Sequence, residues 1–183
     1  FELLCVLFAF QLILSFFTPE TAQKRSGALA SLKPNMAIPP QTKSALLSIS
    51  PINIALWMVS GFFLSLMPSL LAKIFETSSA WLNGITFMAL ALSGAAGILT
   101  LRKSTNYRIL LTGTLSIAIG STVLFLAINL TSAVVLFLGS IITGVGFGTA
   151  FMGAIRTVMP LALPEERAGL MAAFFVESYL AFS

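Results

Sequence analysis

The sequence predicts an all-α, polytopic bundle of transmembrane helices, and three observations carry this prediction. Of the 183 residues, 57% are hydrophobic and only 9% are charged, whereas an ordinary soluble domain has about 25% charged residues. The mean hydropathy is +1.00. Several apolar runs approach the roughly 20 residues that a helix needs to cross a bilayer. These runs are continuous and about twice as long as the strands of a membrane barrel, so helices are predicted.

Six apolar runs mark the predicted spans. Residues 1–17 lack the basic beginning and the cleavage site of a signal peptide, so we interpret them as the end of a span. Ser50 and Pro51 resemble an N-cap and a first helical residue, and Pro164, followed by two glutamates, resembles another helix start. The predicted spans are residues 1–17, 51–72, 81–101, 109–130, 134–158 and 164–183, and we expect the first and last to be truncated.

Residues 18–50 are predicted to form a cytoplasmic linker between the first span and a carboxy-terminal bundle at 51–183. The segment contains four basic residues and four prolines, a composition that cannot bury a core, so we expect partial disorder with a short helix. Lysine and arginine favour the cytoplasmic side of a membrane. Eight basic residues fall in alternate loops and one falls in the others, which places the linker and the 102–108 loop in the cytoplasm.

The composition argues against an enzyme. The chain has one cysteine, Cys5, and no histidine or aspartate, whereas zinc sites and serine–histidine–aspartate triads require such side chains. An intramembrane enzyme would need paired acids or a nucleophile with a base at matched depth, and Glu177 has no such partner in the sequence. We therefore predict no catalytic residue, metal site or cofactor, and no nucleic-acid partner.

Glu177 is the most informative single residue. It lies about two turns into the last predicted span, where a charged side chain is costly unless it faces the bundle interior or a water-filled path. Such a carboxylate suits the binding and release of a proton or the attraction of a cation. The alternative is a structural hydrogen bond to Ser178, Tyr179 or a neighbouring helix.

Three further features qualify as functional candidates. Arg156, near the cytoplasmic end of its span, either extends to the lipid headgroups or contacts an anion or gate. Pro68 removes a backbone donor inside its span and predicts a kink. Gly144 and Gly148 are four residues apart and allow another helix to approach closely, and glycine-rich spans also permit the bending that alternating access requires.

Three segments carry a resemblance to a known family: Gly61-Phe-Phe-Leu-Ser-Leu-Met-Pro68, Gly144-Val-Gly-Phe-Gly148 and Pro164-Glu-Glu-Arg167-Ala-Gly169. With one span, a long basic linker and further spans joined by short loops, the chain resembles spans six to eleven of the major facilitator superfamily, in particular its bacterial efflux members. The family's cytoplasmic loop motif is represented by Gly97, Arg102, Lys103 and Arg108. Leu101 and Ser104 replace its aspartate and glycine, which leaves only a basic turn.

The resemblance implies a partial major facilitator fold and a multi-pass position in a bacterial inner membrane. It implies proton-coupled export of small amphipathic molecules or metabolites by alternating access. The implied partners are the small-molecule substrate, protons, the bilayer and an amino-terminal half of the same chain. The second and fifth spans would line the cavity, which makes candidate solute contacts of Ser60, Phe63, Met67, Phe147 and Met152. The alternatives are an uptake permease for a sugar or organic anion and a non-transporting membrane scaffold.

Overall fold

The computed structural model describes residues 2–19, 36–74, 76 and 80–182. The chain divides into two units, residues 1–34 and 35–183. In the first unit, helix α1 spans Glu2–Phe16 and has 15 mostly apolar residues, with all of its side chains exposed. This length is short of the roughly 20 residues that a spanning helix needs.

The second unit is an all-helical bundle. Its helices are α2 (Pro40–Gly61), a five-residue π-helical stretch (Phe62–Leu66), α3 (Met67–Ile74), α4 (Ala80–Leu101), α5 (Asn106–Leu130), α6 (Ala133–Val158), a short 3₁₀ turn (Met159–Leu161) and α7 (Arg167–Phe182). Residues 40–73, 81–101, 106–130 and 133–161 form four helices long and apolar enough to cross a membrane. The all-α prediction is confirmed for the described residues, and the four helices indicate a membrane-embedded protein.

The predicted start of the second span at Pro51 is wrong. Helix α2 begins at Pro40, and Pro51 lies inside it, so residues 40–50 are helical rather than part of a linker. The Ser50 hydroxyl donates to the Leu46 carbonyl at 3.0 Å instead of capping a helix. Proline keeps a helical φ and removes only one hydrogen bond. Packing compensates, because Leu46 and Ile49 are buried in a cluster with apolar side chains of α6 and α7.

The last helix starts slightly later than its sequence suggested. Pro164 lies in a turn, and α7 begins at Arg167. The Glu166 carboxylate accepts a hydrogen bond from the Leu163 backbone N–H at 3.1 Å and another from the Gln41 amide at 2.8 Å. The turn before α7 is therefore attached to the first turn of α2.

Helix α6 lies between α4 and α5 and packs more extensively on these two than on any other helix. Glycines set the closeness of these contacts: a Cβ added at Gly113 of α5 would lie 2.6 Å from the Ala150 backbone nitrogen of α6. On the other side, Gly144 and Gly148 lie directly against Leu90 and Gly94 of α4. Such contact between backbones is how helices associate where lipid offers no hydrophobic driving force.

One end of the bundle collects most of the basic residues. There, the Arg156 guanidinium donates to the Arg102 carbonyl at 2.9 Å, and the Asn106 amide donates to the Thr157 hydroxyl at 2.6 Å. The end of α4, the start of α5 and the end of α6 therefore meet. The starts of α2 and α7 join them through the apolar cluster around Val158. Among the described basic residues, Lys73 lies at the opposite end, and this end holds Lys43, Arg102, Lys103, Arg108, Arg156 and Arg167.

Substitution of Gly113 by alanine tests the close α5–α6 contact. Gly113→Ala should lower the free energy of unfolding by about 1–3 kcal/mol, because the new methyl group forces two backbones apart, although alanine favours a helix. Gly84→Ala is the control, since a Cβ there meets no atom within 4 Å. Denaturant unfolding in detergent would measure both variants. Equal stability of the two would contradict the contact.

Cysteine accessibility tests whether the two ends of α5 lie on opposite sides of the membrane. Ser104 and Thr131 flank this 25-residue helix, so single cysteines at these positions should react with a membrane-impermeant maleimide from opposite sides. Because Cys5 is the chain's one cysteine, Cys5→Ala provides the background. Basic residues favour the cytoplasm, so Ser104→Cys should react only in inside-out vesicles. Labelling of both positions from one side would show that α5 does not cross the membrane.

Candidate functional site

A buried polar network joins α2 to α7. Asn53 of α2 is 0% exposed, and its amide nitrogen lies 2.9 Å from a carboxylate oxygen of Glu177 and 3.1 Å from the Ser178 hydroxyl oxygen. The Ser178 hydroxyl is 0% exposed as well and lies 3.3 Å from the Asn53 carbonyl oxygen. A carboxylate, an amide and a hydroxyl thus meet between two apolar helices.

The network lies near the middle of its helices. Glu177 comes ten residues after Arg167, the first residue of α7, which at 1.5 Å per residue is about 15 Å along the axis. This is half of the roughly 30 Å hydrocarbon core of a bilayer. If α7 is embedded, the Glu177 carboxylate is therefore far from either membrane surface.

Glu177 faces a groove with otherwise apolar walls. The groove, here called the Glu177 groove, has a volume of about 560 Å³, and Glu177 itself is half-buried. The other lining residues are Met36, Ile38, Ile54, Ala173, Val176, Leu180 and Ala181. Of the alternatives raised by the sequence, the structure places Glu177 both in a groove and in a hydrogen bond with a neighbouring helix. Ser178 bonds Asn53 rather than the carboxylate.

An aromatic cluster packs α7 on α2 along a different face. The ring of Trp57 lies 6.3, 5.8 and 6.3 Å from those of Phe175, Tyr179 and Phe182. Since Phe175 and Tyr179 are each two residues from Glu177, they point to the other side of the helix. The Trp57 indole nitrogen is buried without a hydrogen-bond partner. The carboxylate is thus separate from the aromatic cluster.

Two of the five candidate solute contacts come together. Ser60 and Phe147 line a groove of about 330 Å³ among α2, α4 and α6, here called the Ser60 groove, whose other lining residues are Phe87, Leu90, Ala91, Gly94, Ala95, Ile98, Gly148 and Phe151. Phe63 and Met67 are 3% and 1% exposed and pack within an apolar cluster. Met152 is half-buried on α6 and does not line the Ser60 groove.

The basic candidates lie at the crowded end of the bundle. The Arg156 side chain is exposed and donates to the carbonyl of Arg102, which directly follows α4. Carbonyl groups at a helix carboxyl terminus lack partners within the helix, so Arg156 caps α4. Lys103 and Arg108 are exposed, whereas Gly97 is buried against α6.

Pro68 follows an irregular part of its helix. The π-helical stretch at 62–66 ends just before it, and the Met67 N–H donates to the Phe62 carbonyl five residues back. Proline and π-helical turns are both common causes of helix distortion. The structure therefore places a change of hydrogen-bond register where the sequence predicted a kink.

Asn53 is the functional candidate that the sequence interpretation missed. An asparagine inside an apolar run is itself a signal, because polar side chains at membrane depth hydrogen-bond across helices. Its partner could not be identified before the fold placed α2 beside α7.

Among the described residues, no three histidine, cysteine, aspartate or glutamate side chains lie together as a metal site would require.

Comparison of the chain with models of protein families, with curated proteins and with solved structures found no match. The residues and contacts described above are therefore the basis for assigning a function.

Proposed function

We propose that this protein is a membrane transporter that exports small amphipathic molecules in exchange for protons by alternating access. The observation that carries the proposal is the Glu177 carboxylate, held by a fully buried asparagine at mid-helix in an apolar groove. The proposal also takes the basic end of the bundle to be cytoplasmic, in a bacterial inner membrane, and assigns no catalytic chemistry to the chain.

An ionisable group at this depth calls for a functional reason. A carboxylate near the bilayer centre costs about 2.5–3.5 kcal/mol on insertion scales. The Asn53 N–H stabilises the ionised form, because hydrogen bonds to charged groups are among the stronger ones. The hydrocarbon walls of the Glu177 groove suit the neutral form. A site that accommodates both the ionised and the neutral form of the carboxyl group allows it to take up and release a proton.

The Ser60 groove suits an amphipathic substrate. Three phenylalanines and several aliphatic side chains form its walls, and the Ser60 hydroxyl adds a polar group. Small-molecule sites are mostly apolar with a few polar groups, and typically measure about 300–1,000 Å³. Its volume of about 330 Å³ lies at the low end of that range, which fits a compact molecule.

The charges around the grooves favour neutral or cationic substrates over anions. No lysine or arginine lines the Glu177 groove or the Ser60 groove, and Arg156 is engaged with the end of α4. Uptake of an organic anion would call for a basic side chain in the cavity. A non-transporting scaffold would need only an acceptor for the Asn53 N–H, which a neutral glutamine supplies without the cost of a carboxylate in hydrocarbon.

Glu177→Gln should abolish proton-driven efflux of a fluorescent cationic dye from vesicles containing the protein. Glutamine keeps the size and a hydrogen-bonding oxygen but cannot exchange a proton. Glu165→Gln is the control, since Glu165 is exposed and lies in the turn before α7, and it should transport normally. Gradient-driven efflux that persists in Glu177→Gln at equal expression would remove Glu177 from the mechanism. Absence of gradient-driven dye movement in the unaltered protein would count against export.

Ser60→Phe should weaken dye binding by obstructing the Ser60 groove. We expect KM to rise at least severalfold while the expressed amount stays the same, because a phenyl ring takes a substantial part of a cavity of about 330 Å³ and removes the hydroxyl from its wall. Ser65→Phe, at an exposed position in the same helical segment, is the matched control and should keep the normal KM. An unchanged KM in Ser60→Phe would place the substrate elsewhere.

A further inference from the structure

We propose that Asn53 is the positioning residue for the Glu177 carboxylate, and that Ser178 fixes which end of the Asn53 amide faces it. This inference rests on the proposed role of Glu177 and goes beyond it, since it assigns two residues that hold the exchanging group in place.

The surroundings of the Asn53 amide determine its orientation. Its nitrogen lies 2.9 Å from the Glu177 carboxylate and 3.5 Å from the Phe174 carbonyl oxygen. An ionised carboxylate and a backbone carbonyl can only accept hydrogen bonds, and the amide NH₂ group of asparagine has two N–H donors. The nitrogen must therefore face α7 at this point. A reversed amide would bring its oxygen against two acceptors.

Ser178 occupies the remaining position around the amide. Its oxygen lies 3.1 Å from the Asn53 nitrogen and 3.3 Å from the Asn53 oxygen, and it lies 2.8 Å from the Phe174 carbonyl. A hydroxyl has one hydrogen to donate, and Ser178 donates it to the Phe174 carbonyl, the nearest acceptor. Its oxygen is therefore left to accept from the Asn53 N–H, so Ser178 adds a further acceptor on the side that the amide nitrogen faces. Since Asn53 and Ser178 are both 0% exposed, water cannot take over these contacts.

This arrangement serves both protonation states of Glu177. When the carboxyl is ionised, the Asn53 N–H donates to a charged oxygen, and when it is protonated, the same N–H donates to the carbonyl oxygen that remains. No lining residue of the Glu177 groove other than Glu177 is charged. Proton exchange therefore requires no change of partner, and the position of the carboxylate depends on Asn53.

Chemical modification of Glu177 tests the inference without a transport assay. Dicyclohexylcarbodiimide is an apolar reagent that reacts with protonated carboxyl groups, and the modified peptide is quantified by mass spectrometry on the protein in lipid vesicles across a range of pH. At neutral pH, Asn53→Leu should be modified severalfold faster, because the Glu177 carboxyl group loses the N–H that holds it against α2 and no longer has to give up this hydrogen bond when it reacts. Ser178→Ala should show a smaller increase, because the Asn53 amide loses the contact that fixes it.

The matched control is Ser140→Ala. Ser140 is also 0% exposed, and its hydroxyl donates to the Leu136 carbonyl four residues back at 2.8 Å, the same bond that Ser178 makes to Phe174. Modification of Ser140→Ala should follow the unaltered protein at every pH. If Asn53→Leu does not fold, the comparison of Ser178→Ala with Ser140→Ala tests the positioning of Glu177 instead.

An unchanged rate in Asn53→Leu, or equal rates in the two serine variants, would overturn the positioning role. A different outcome would contradict the proposed function alone. If efflux persists in Glu177→Gln while carbodiimide modification responds as expected, Glu177 has no role in transport, but its positioning by Asn53 is still supported.

Discussion

The close packing of α6 against α4 and α5 is the constraint on which the rest of the bundle depends. In lipid, apolar side chains gain little from leaving hydrocarbon, so helices are held by van der Waals contact and by polar bonds. Half of the apolar stretch of α6 is buried, compared with 22% in α4 and 28% in α5. Its glycines divide between the two neighbours: Gly144 and Gly148 contact α4, whereas Gly139, Gly146 and Gly153 contact α5.

Helices α2 and α7 are attached in another manner. They contact each other and α6 mainly through side chains: the apolar cluster around Phe174, the aromatic cluster around Trp57 and the network around Asn53. Side chains can change rotamer, whereas backbones in direct contact cannot separate without losing that contact. The ionisable group therefore lies in the more adaptable part of the bundle, outside the glycine-packed core.

The sequence predicted what depends on local pattern and missed what depends on partners. Long apolar runs were sufficient to predict α4, α5 and α6. The position of Glu177 in an apolar run identified it as a functional candidate. The prediction at Pro51 was wrong because the neighbouring residues in sequence do not distinguish a proline inside a helix from one at its start. The difference lies in Leu46 and Ile49, which are buried only because α6 and α7 cover them. The pairing of Asn53 with Glu177, residues 124 apart in sequence, likewise required the fold.

Hydrogen-bonding capacity explains why Asn53, rather than one of the many hydroxyls, marks the α2–α7 contact. A hydroxyl at membrane depth can satisfy its one donor on its own helix, and most of them do so: Thr86, Ser93, Thr114, Thr122, Ser140 and Thr149 all donate to carbonyls three or four residues back. An asparagine amide has two N–H donors and an oxygen that also seeks partners. At a buried position these needs exceed what one helix offers, so a second helix must supply the remainder. Asn53 is therefore satisfied when α7 lies beside α2 in the observed register, and in that register Glu177 is within hydrogen-bonding distance.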